Sequence, residues 1–201
     1  SSSAVYGINI EEREKIKNYP KSIYGSFKLS AEALIKNFSV KNKIKFVVAR
    51  VFNLYGKDDN NFSVISKIKN ILLKNKKEKL IILNNGNSVR DYINVDDLIK
   101  FYKYFLKSNI VGIYDVGSGE GTRLIDLIKK IKINKKNIFF SKKKINEVNY
   151  SVADIEYAKK YINFNNFNKI EDYFPNKFLI KKIYPLKYDP HKDFSKVVQT
   201  V

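Results

Sequence analysis

Tyr24 and Lys28 stand four residues apart in Tyr24-Gly25-Ser26-Phe27-Lys28, 21 residues after Ser3. On a helix, positions i and i+4 share one face, so the Lys28 ammonium can lie beside the Tyr24 phenol. A free tyrosine titrates near about 10, and making it work at neutral pH takes roughly 4 kcal/mol of anion stabilisation. A cation about 4 Å away, at an effective dielectric near about 20, supplies an amount of that order. A serine hydroxyl from Ser1-Ser2-Ser3-Ala4-Val5-Tyr6-Gly7 can hold the same substrate oxygen. Together these groups make a device for taking a proton from an alcohol.

The surrounding elements must position them. Ser1 to Val5 reads as the end of a buried strand running into a loop. Residues 22 to 38 read as a helix with Ala31, Leu34, Ile35 and Phe38 on an apolar face. Lys45 to Arg50 is a short β-rich run, so strand, helix and strand follow in the order of a closing parallel α/β sheet. A polar loop at Gly56 to Asn61 leads to a helix near 62 to 75, with Ile65, Ile68, Ile71 and Leu72 inward. Leu80 to Leu83 is a strand, Asn84 to Asn87 a turn, and Arg90 to Asn94 extended. Asp96 and Asp97 suit the N-terminus of a helix reaching Lys107. Ile113 to Val116 is a strand, and Thr122 is placed to cap a helix ending near Ile131. A strand at Ile138 to Phe140, a helix at Asp154 to Tyr161 and a short helix around Ile170 complete the pattern.

Composition narrows the chemistry. The chain has 201 residues, 44% hydrophobic, enough for one substantial core or two small ones. With no cysteine, disulfides, thiolate metal sites and cysteine nucleophiles are excluded. The single histidine, His191, reads as a surface residue. No apolar stretch approaches the length of a membrane span, and no secretory leader is evident, which points to the cytoplasm. The net charge of +19 comes almost wholly from lysines scattered over every element, not gathered in a stripe. That dispersal argues against a nucleic-acid partner and is compatible with attraction of phosphate-bearing small molecules.

The pair is one of several motifs in order. Arg50-Val51-Phe52-Asn53-Leu54-Tyr55-Gly56 follows the strand at 45–50. Gly86-Asn87-Ser88-Val89-Arg90-Asp91-Tyr92-Ile93-Asn94-Val95-Asp96-Asp97 comes next, then Tyr114-Asp115-Val116-Gly117-Ser118-Gly119 and Ser151-Val152-Ala153-Asp154. In these motifs residues 1 to about 173 closely resemble the extended short-chain dehydrogenase/reductases, specifically the NAD-dependent nucleotide-sugar epimerases and dehydratases. The resemblance implies the C-terminal part of a Rossmann-like parallel sheet with a smaller α/β substrate-binding domain. Residues 1–56 would close the NAD-binding domain, helped by the strand and helix near 91–116. Residues 57–175 would be mainly substrate-binding, and 176–201 stay unassigned. The family's Gly-rich cofactor turn would lie before residue 1.

By the same resemblance, Ser2 is the catalytic hydroxyl, with Ser3 beside it as fallback and substrate contact. Tyr24 is the proton carrier, and Lys28 binds the nicotinamide ribose and tunes Tyr24. Asn53 lies near the sugar or its phosphates, and Arg90 grips the nucleotide diphosphate through paired hydrogen bonds. Lys144 is a weaker phosphate candidate. The bland alternatives are a turn role for Asn53 and salt bridging of Arg90 to Asp91 or Asp96. This sequence departs from the family at Ile23, where proline is usual, at Phe27, where serine is usual, and at Lys144, where arginine is usual. Gly117-Ser118-Gly119-Glu120-Gly121-Thr122 is not a cofactor loop, because its third glycine comes one position too soon for G-x-G-x-x-G.

Ser3 and Ala4 follow Ser2 where dehydratases carry acids, which disfavours dehydration. The cysteine and histidine of the 3,5-epimerising members are absent. The resemblance therefore implies a 4-epimerase of a UDP-glucose or UDP-N-acetylglucosamine type substrate, using NAD through a 4-keto sugar and assembled as a homodimer. A 4-keto reductase, a 4,6-dehydratase and a noncatalytic fragment are the alternatives.

Overall fold

The computed structural model describes residues 1–7, 20–57, 63–74, 79–142 and 148–174. Lys144, His191 and the segment beyond 175 lie outside the described residues. Strand β1 (Val47–Val51) pairs in parallel with β5 (Gly112–Val116), from Val47 opposite Gly112 to Val51 opposite Val116. Its three central residues are buried, as expected of a strand covered on both faces. After Phe52 the chain continues as β2 (Asn53–Tyr55), parallel to β4 (Val89–Asn94). Strand β3 is Leu80–Ile82. Strand β4 also takes β6 (Gly121–Arg123) antiparallel and β8 (Tyr150–Ser151) parallel. Strand β3 pairs in parallel with β7 (Ile138–Phe140).

Helix α1 spans Ile23–Asn42, α2 Val64–Lys74, α3 Val95–Lys107 and α4 Leu124–Lys130. Ser22 starts α1 by accepting the Gly25 N–H at 3.0 Å, and Lys43 closes it in the left-handed conformation. Asn94 caps α3 by accepting from the Asp96 N–H at 2.9 Å. Asp96 and Asp97 lie in the first turn as the sequence predicts, yet Asp97 is fully buried. It accepts from Lys100 Nζ at 2.7 Å and from Asn168 N and Nδ2 at 2.8 and 3.0 Å. Two apolar cores result. Ile65, Ile68 and Ile71 of α2 meet Leu80, Ile82 and Leu127, while Ala49, Phe52, Val116, Leu98 and Phe101 join Ala158.

Four sequence expectations are corrected. The apolar residues of α1 stay outside, with Leu34 70% and Phe38 62% exposed, and the helix is buried along Gly25, Glu32 and Ser39. These three residues, spaced seven apart, include no apolar side chain; Gly25 meets the Ala4 backbone and Glu32 the Arg50 guanidinium. Ser1 to Val5 makes a single parallel bridge, Ser2 to Val51, and then a 3-10 turn at Ser3–Val5 in place of a strand end. Thr122 does not cap α4. It sits in β6 opposite Arg90, and Arg123 precedes the helix with no side-chain cap. Residues 154 to 161 form successive turns, closed by Ala158 N–H to Ile155 O and Ile162 N–H to Ala158 O, both at 2.9 Å. Their buried residues Ile155, Ala158 and Ile162 have helical spacing, which is why the pattern reads as a helix.

Candidate active site

The N-terminal segment and α1 meet through an unusually close approach. A Cβ on Gly25 would stand 2.4 Å from the Ala4 carbonyl oxygen and 3.0 Å from Pro20 Cβ. Only glycine therefore allows the helix backbone to lie directly against the turn that carries Ser2 and Ser3. Ser2 also sits beside the C-terminal end of β1, the end of a parallel sheet where open α/β proteins bind ligands. Its Oγ accepts the Ala4 N–H at 3.2 Å, and both Ser2 and Ser3 are half-buried. Tyr24 flanks Gly25 and is 55% exposed. Lys28 Nζ lies 5.4 Å from the centre of the Tyr24 ring, so the i, i+4 pair does face one way.

One turn beyond Lys28, Glu32 anchors this face to the sheet. Arg50 of β1 donates to it twice, Nε to Oε1 at 2.9 Å and Nη2 to Oε2 at 2.6 Å, and Ser1 Oγ donates to Oε1 at 2.5 Å. The guanidinium stacks 4.7 Å from the Tyr6 ring centre, and Tyr6 Oη donates to Asp115 of β5 at 2.5 Å. Burial pushes the Glu32 carboxyl up, but the hydrogen bonds from Arg50 and Ser1 outweigh it and hold the group below its ordinary value. Sequence reasoning missed this network. Its signal was an arginine inside an apolar strand, which demands a buried partner.

Asn53 and Arg90 are brought together elsewhere. Both line a cleft of about 510 Å³ with Lys67, Lys79, Ser63 and Ser88. Asn53 Nδ2 donates to the Asp91 carbonyl at 3.0 Å, and Arg90 Nη1 donates to the Val89 carbonyl at 2.9 Å. A larger depression, about 690 Å³, lies over the first turns of α1 between Pro20 and Ser30, and neither Tyr24 nor Lys28 is among its lining residues.

Asp91, one side of β4 away from Arg90, is fully buried and turned toward the Gly-rich turn. Oδ1 accepts from Ser118 N and Oγ at 2.8 and 2.7 Å, and Oδ2 from Gly119 N and Ala153 N at 2.9 and 3.2 Å. Burial pushes this carboxyl above its ordinary value, against the four donors that favour its charge. Backbone amides in a glycine turn grip an anion, as they do in phosphate loops, but the anion is a side chain of the same protein. That fills the turn and agrees with its reading as structural. A Cβ on Gly117 would stand 2.4 Å from Asp91 Oδ2.

The fold is that of Rossmann-like α/β enzymes. It matches the solved UDP-glucuronic acid 4-epimerase from Bacillus cereus, in complex with UDP-glucuronic acid and NAD, with a TM-score of 0.75 and 26% identity over 92% of this chain and 60% of that one. The chain belongs to the NAD dependent epimerase/dehydratase family, whose profile matches residues 1–117. A dTDP-D-glucose 4,6-dehydratase of Dictyostelium discoideum is 30% identical over 125 residues, 62% of this chain and 28% of that protein. An uncharacterized UDP-glucose epimerase of Bacillus subtilis is 27% identical over 181 residues, 86% of this chain and 56% of its own length. The chain thus spans little more than half, or less, of the relatives it matches. NAD, the cofactor expected from the motifs, is the family's cofactor. Among the described residues, no helix is long and apolar enough to cross a membrane and no group of three metal-ligating side chains occurs.

Proposed function

We propose that the full-length protein is an NAD-dependent 4-epimerase of a nucleotide sugar, with Ser2, Tyr24 and Lys28 as its proton-transfer group. The observation that carries this reading is the pairing of Lys28 with Tyr24 on a helix locked by Gly25 against the Ser2 turn. The exposed Tyr24 phenol and the half-buried Lys28 beside it suit a ribose and a sugar hydroxyl presented from outside α1. NAD, when bound, supplies the two-electron acceptor for the sugar carbon. Tyr24 takes the proton of the C4 hydroxyl while Ser2 holds the same oxygen, and Lys28 favours the phenolate by its charge. The 4-keto sugar turns over, and Tyr24 returns the proton once reduction has occurred on the opposite face. No further acid or base is required, which fits Ser3 and Ala4 in the positions after Ser2.

Asn53 and Arg90 bind the substrate in this reading, supported by their shared cleft. The exposed Leu34 and Phe38 of α1 support a homodimer in which two copies of this helix pack together. Residues 1–56, with β4, α3 and β5, belong to the cofactor domain and 57–175 mainly to the substrate domain, in keeping with the two separate cores.

The test is incubation of the NAD-loaded full-length protein with UDP-glucose, UDP-N-acetylglucosamine and UDP-glucuronic acid in deuterated water. Interconversion at C4 with no net cofactor consumption and no deuterium in the sugar is expected. Deuterium at C5 with loss of the C6 hydroxyl identifies a dehydratase, the activity named for the Dictyostelium relative. Consumption of added NADPH in a parallel incubation with a 4-keto nucleotide sugar identifies a reductase.

A further inference from the structure

We infer that Asp91 is a positioning residue that sets Arg90 for the nucleotide diphosphate, by clamping the two segments that flank Arg90 in the sheet. The inference rests on the reading of Arg90 as a diphosphate ligand. In β4, Arg90 stands opposite Thr122 of β6 and opposite Ser151 of β8. Asp91 points away from the cleft and holds those same two segments a few residues off. Oδ1 takes Ser118 and Oδ2 takes Gly119, just before β6, and Oδ2 also takes Ala153, just after β8. Its backbone carbonyl meanwhile accepts from Asn53 Nδ2 at 3.0 Å, on the cleft side. One residue thus ties both lateral neighbours of Arg90 and its partner Asn53 to a common frame.

Chemistry makes the carboxylate irreplaceable by its isostere. Four donors converge on two oxygens, and an asparagine offers one oxygen and one NH2. Placed at Oδ2, the NH2 faces the N–H of Gly119 and of Ala153. Placed at Oδ1, it faces the N–H of Ser118. Either way a backbone donor loses its acceptor, half-buried at Ser118 and Gly119 and buried at Ala153, and the segment carrying it must move to find another. Gly117 leaves little room for the adjustment, since even a Cβ there would meet Asp91 Oδ2 at 2.4 Å.

The experiment measures calorimetric affinity of the full-length protein for uridine and thymidine diphosphate in four forms: wild type, Arg90→Ala, Asp91→Asn and the double variant. Arg90→Ala and Asp91→Asn are each expected to weaken the preferred nucleotide about tenfold, as loss of one charged contact does. The double variant is expected to bind no more weakly than Arg90→Ala, because Asp91 acts through Arg90. Ser118→Ala removes one donor only and is expected to weaken binding about threefold, a change of under one kcal/mol; it carries the test if Asp91→Asn does not fold. Multiplying losses in the double variant, or Asp91→Asn and Ser118→Ala binding as wild type beside a weakened Arg90→Ala, overturn this inference alone. Wild-type affinity in Arg90→Ala overturns the assignment of Arg90 to the diphosphate and this inference with it.

Discussion

Arg50 encloses both oxygens of Glu32 with two nitrogens, at 2.9 and 2.6 Å, and both side chains are almost wholly buried. This contact fastens α1, with Tyr24 and Lys28, to β1. Breaking one side leaves a buried charge unpaired. Arg50→Met is therefore expected to lower unfolding free energy by about 3–5 kcal/mol. Arg50→Met combined with Glu32→Leu is expected to recover most of that loss in urea titrations. A single variant as stable as wild type contradicts the role given to the pair.

The same contact sets a pH dependence. The Glu32 carboxyl is held below its ordinary value of 4.5, so the folded state binds that proton more weakly than the unfolded chain. Its stabilisation is complete above about pH 4.5 and is lost as pH falls through the lower folded value. Glu32→Gln is expected to flatten the acid limb of the stability curve measured by denaturant between about pH 5 and pH 3. An unchanged acid limb refutes this assignment.

Gly25 fixes the distance between helix and turn. Gly25→Ala places a methyl 2.4 Å from the Ala4 carbonyl, and the helix must retreat. The expected cost is about 1–3 kcal/mol in stability. Displacement of Tyr24 from Ser2 is expected to lower kcat on the order of 10²-fold, with KM changed far less. Retention of wild-type kcat shows that the close approach does not organise the site.

The outer face of α1 carries Leu34 at 70% and Phe38 at 62% exposure. In the proposed homodimer these residues are covered by the same helix of the partner. Leu34→Glu is expected to convert the full-length protein to a monomer in sedimentation equilibrium, while the far-ultraviolet circular dichroism stays unchanged. A dimer that survives the substitution removes α1 from the interface.

Most elements were legible because apolar runs and turn residues obey simple periods. Val47 to Val51, Leu80 to Ile82 and the Ile65, Ile68, Ile71 stripe fall where their patterns predict. The Tyr24–Lys28 face was legible from spacing alone. What escaped was polar and buried. Nothing in the sequence marks Glu32, Asp91 or Asp97 as buried; their burial depends on tertiary contacts with Arg50, the 118–119 amides and Asn168. Helix α1 shows the same limit, since a helix can present one apolar face and bury another. Spacing of Ile155, Ala158 and Ile162 fits a helix and a string of turns equally well, and no propensity separates them.

Proton transfer by Tyr24 is tested most directly by Tyr24→Phe in the full-length, NAD-loaded protein, with turnover of the preferred nucleotide sugar as the readout. Removing only the phenolic oxygen is expected to lower kcat by about 10²–10⁴-fold while nucleotide affinity and melting temperature stay at wild-type values. Turnover within about twofold of wild type, less than 0.5 kcal/mol in the barrier, contradicts the account.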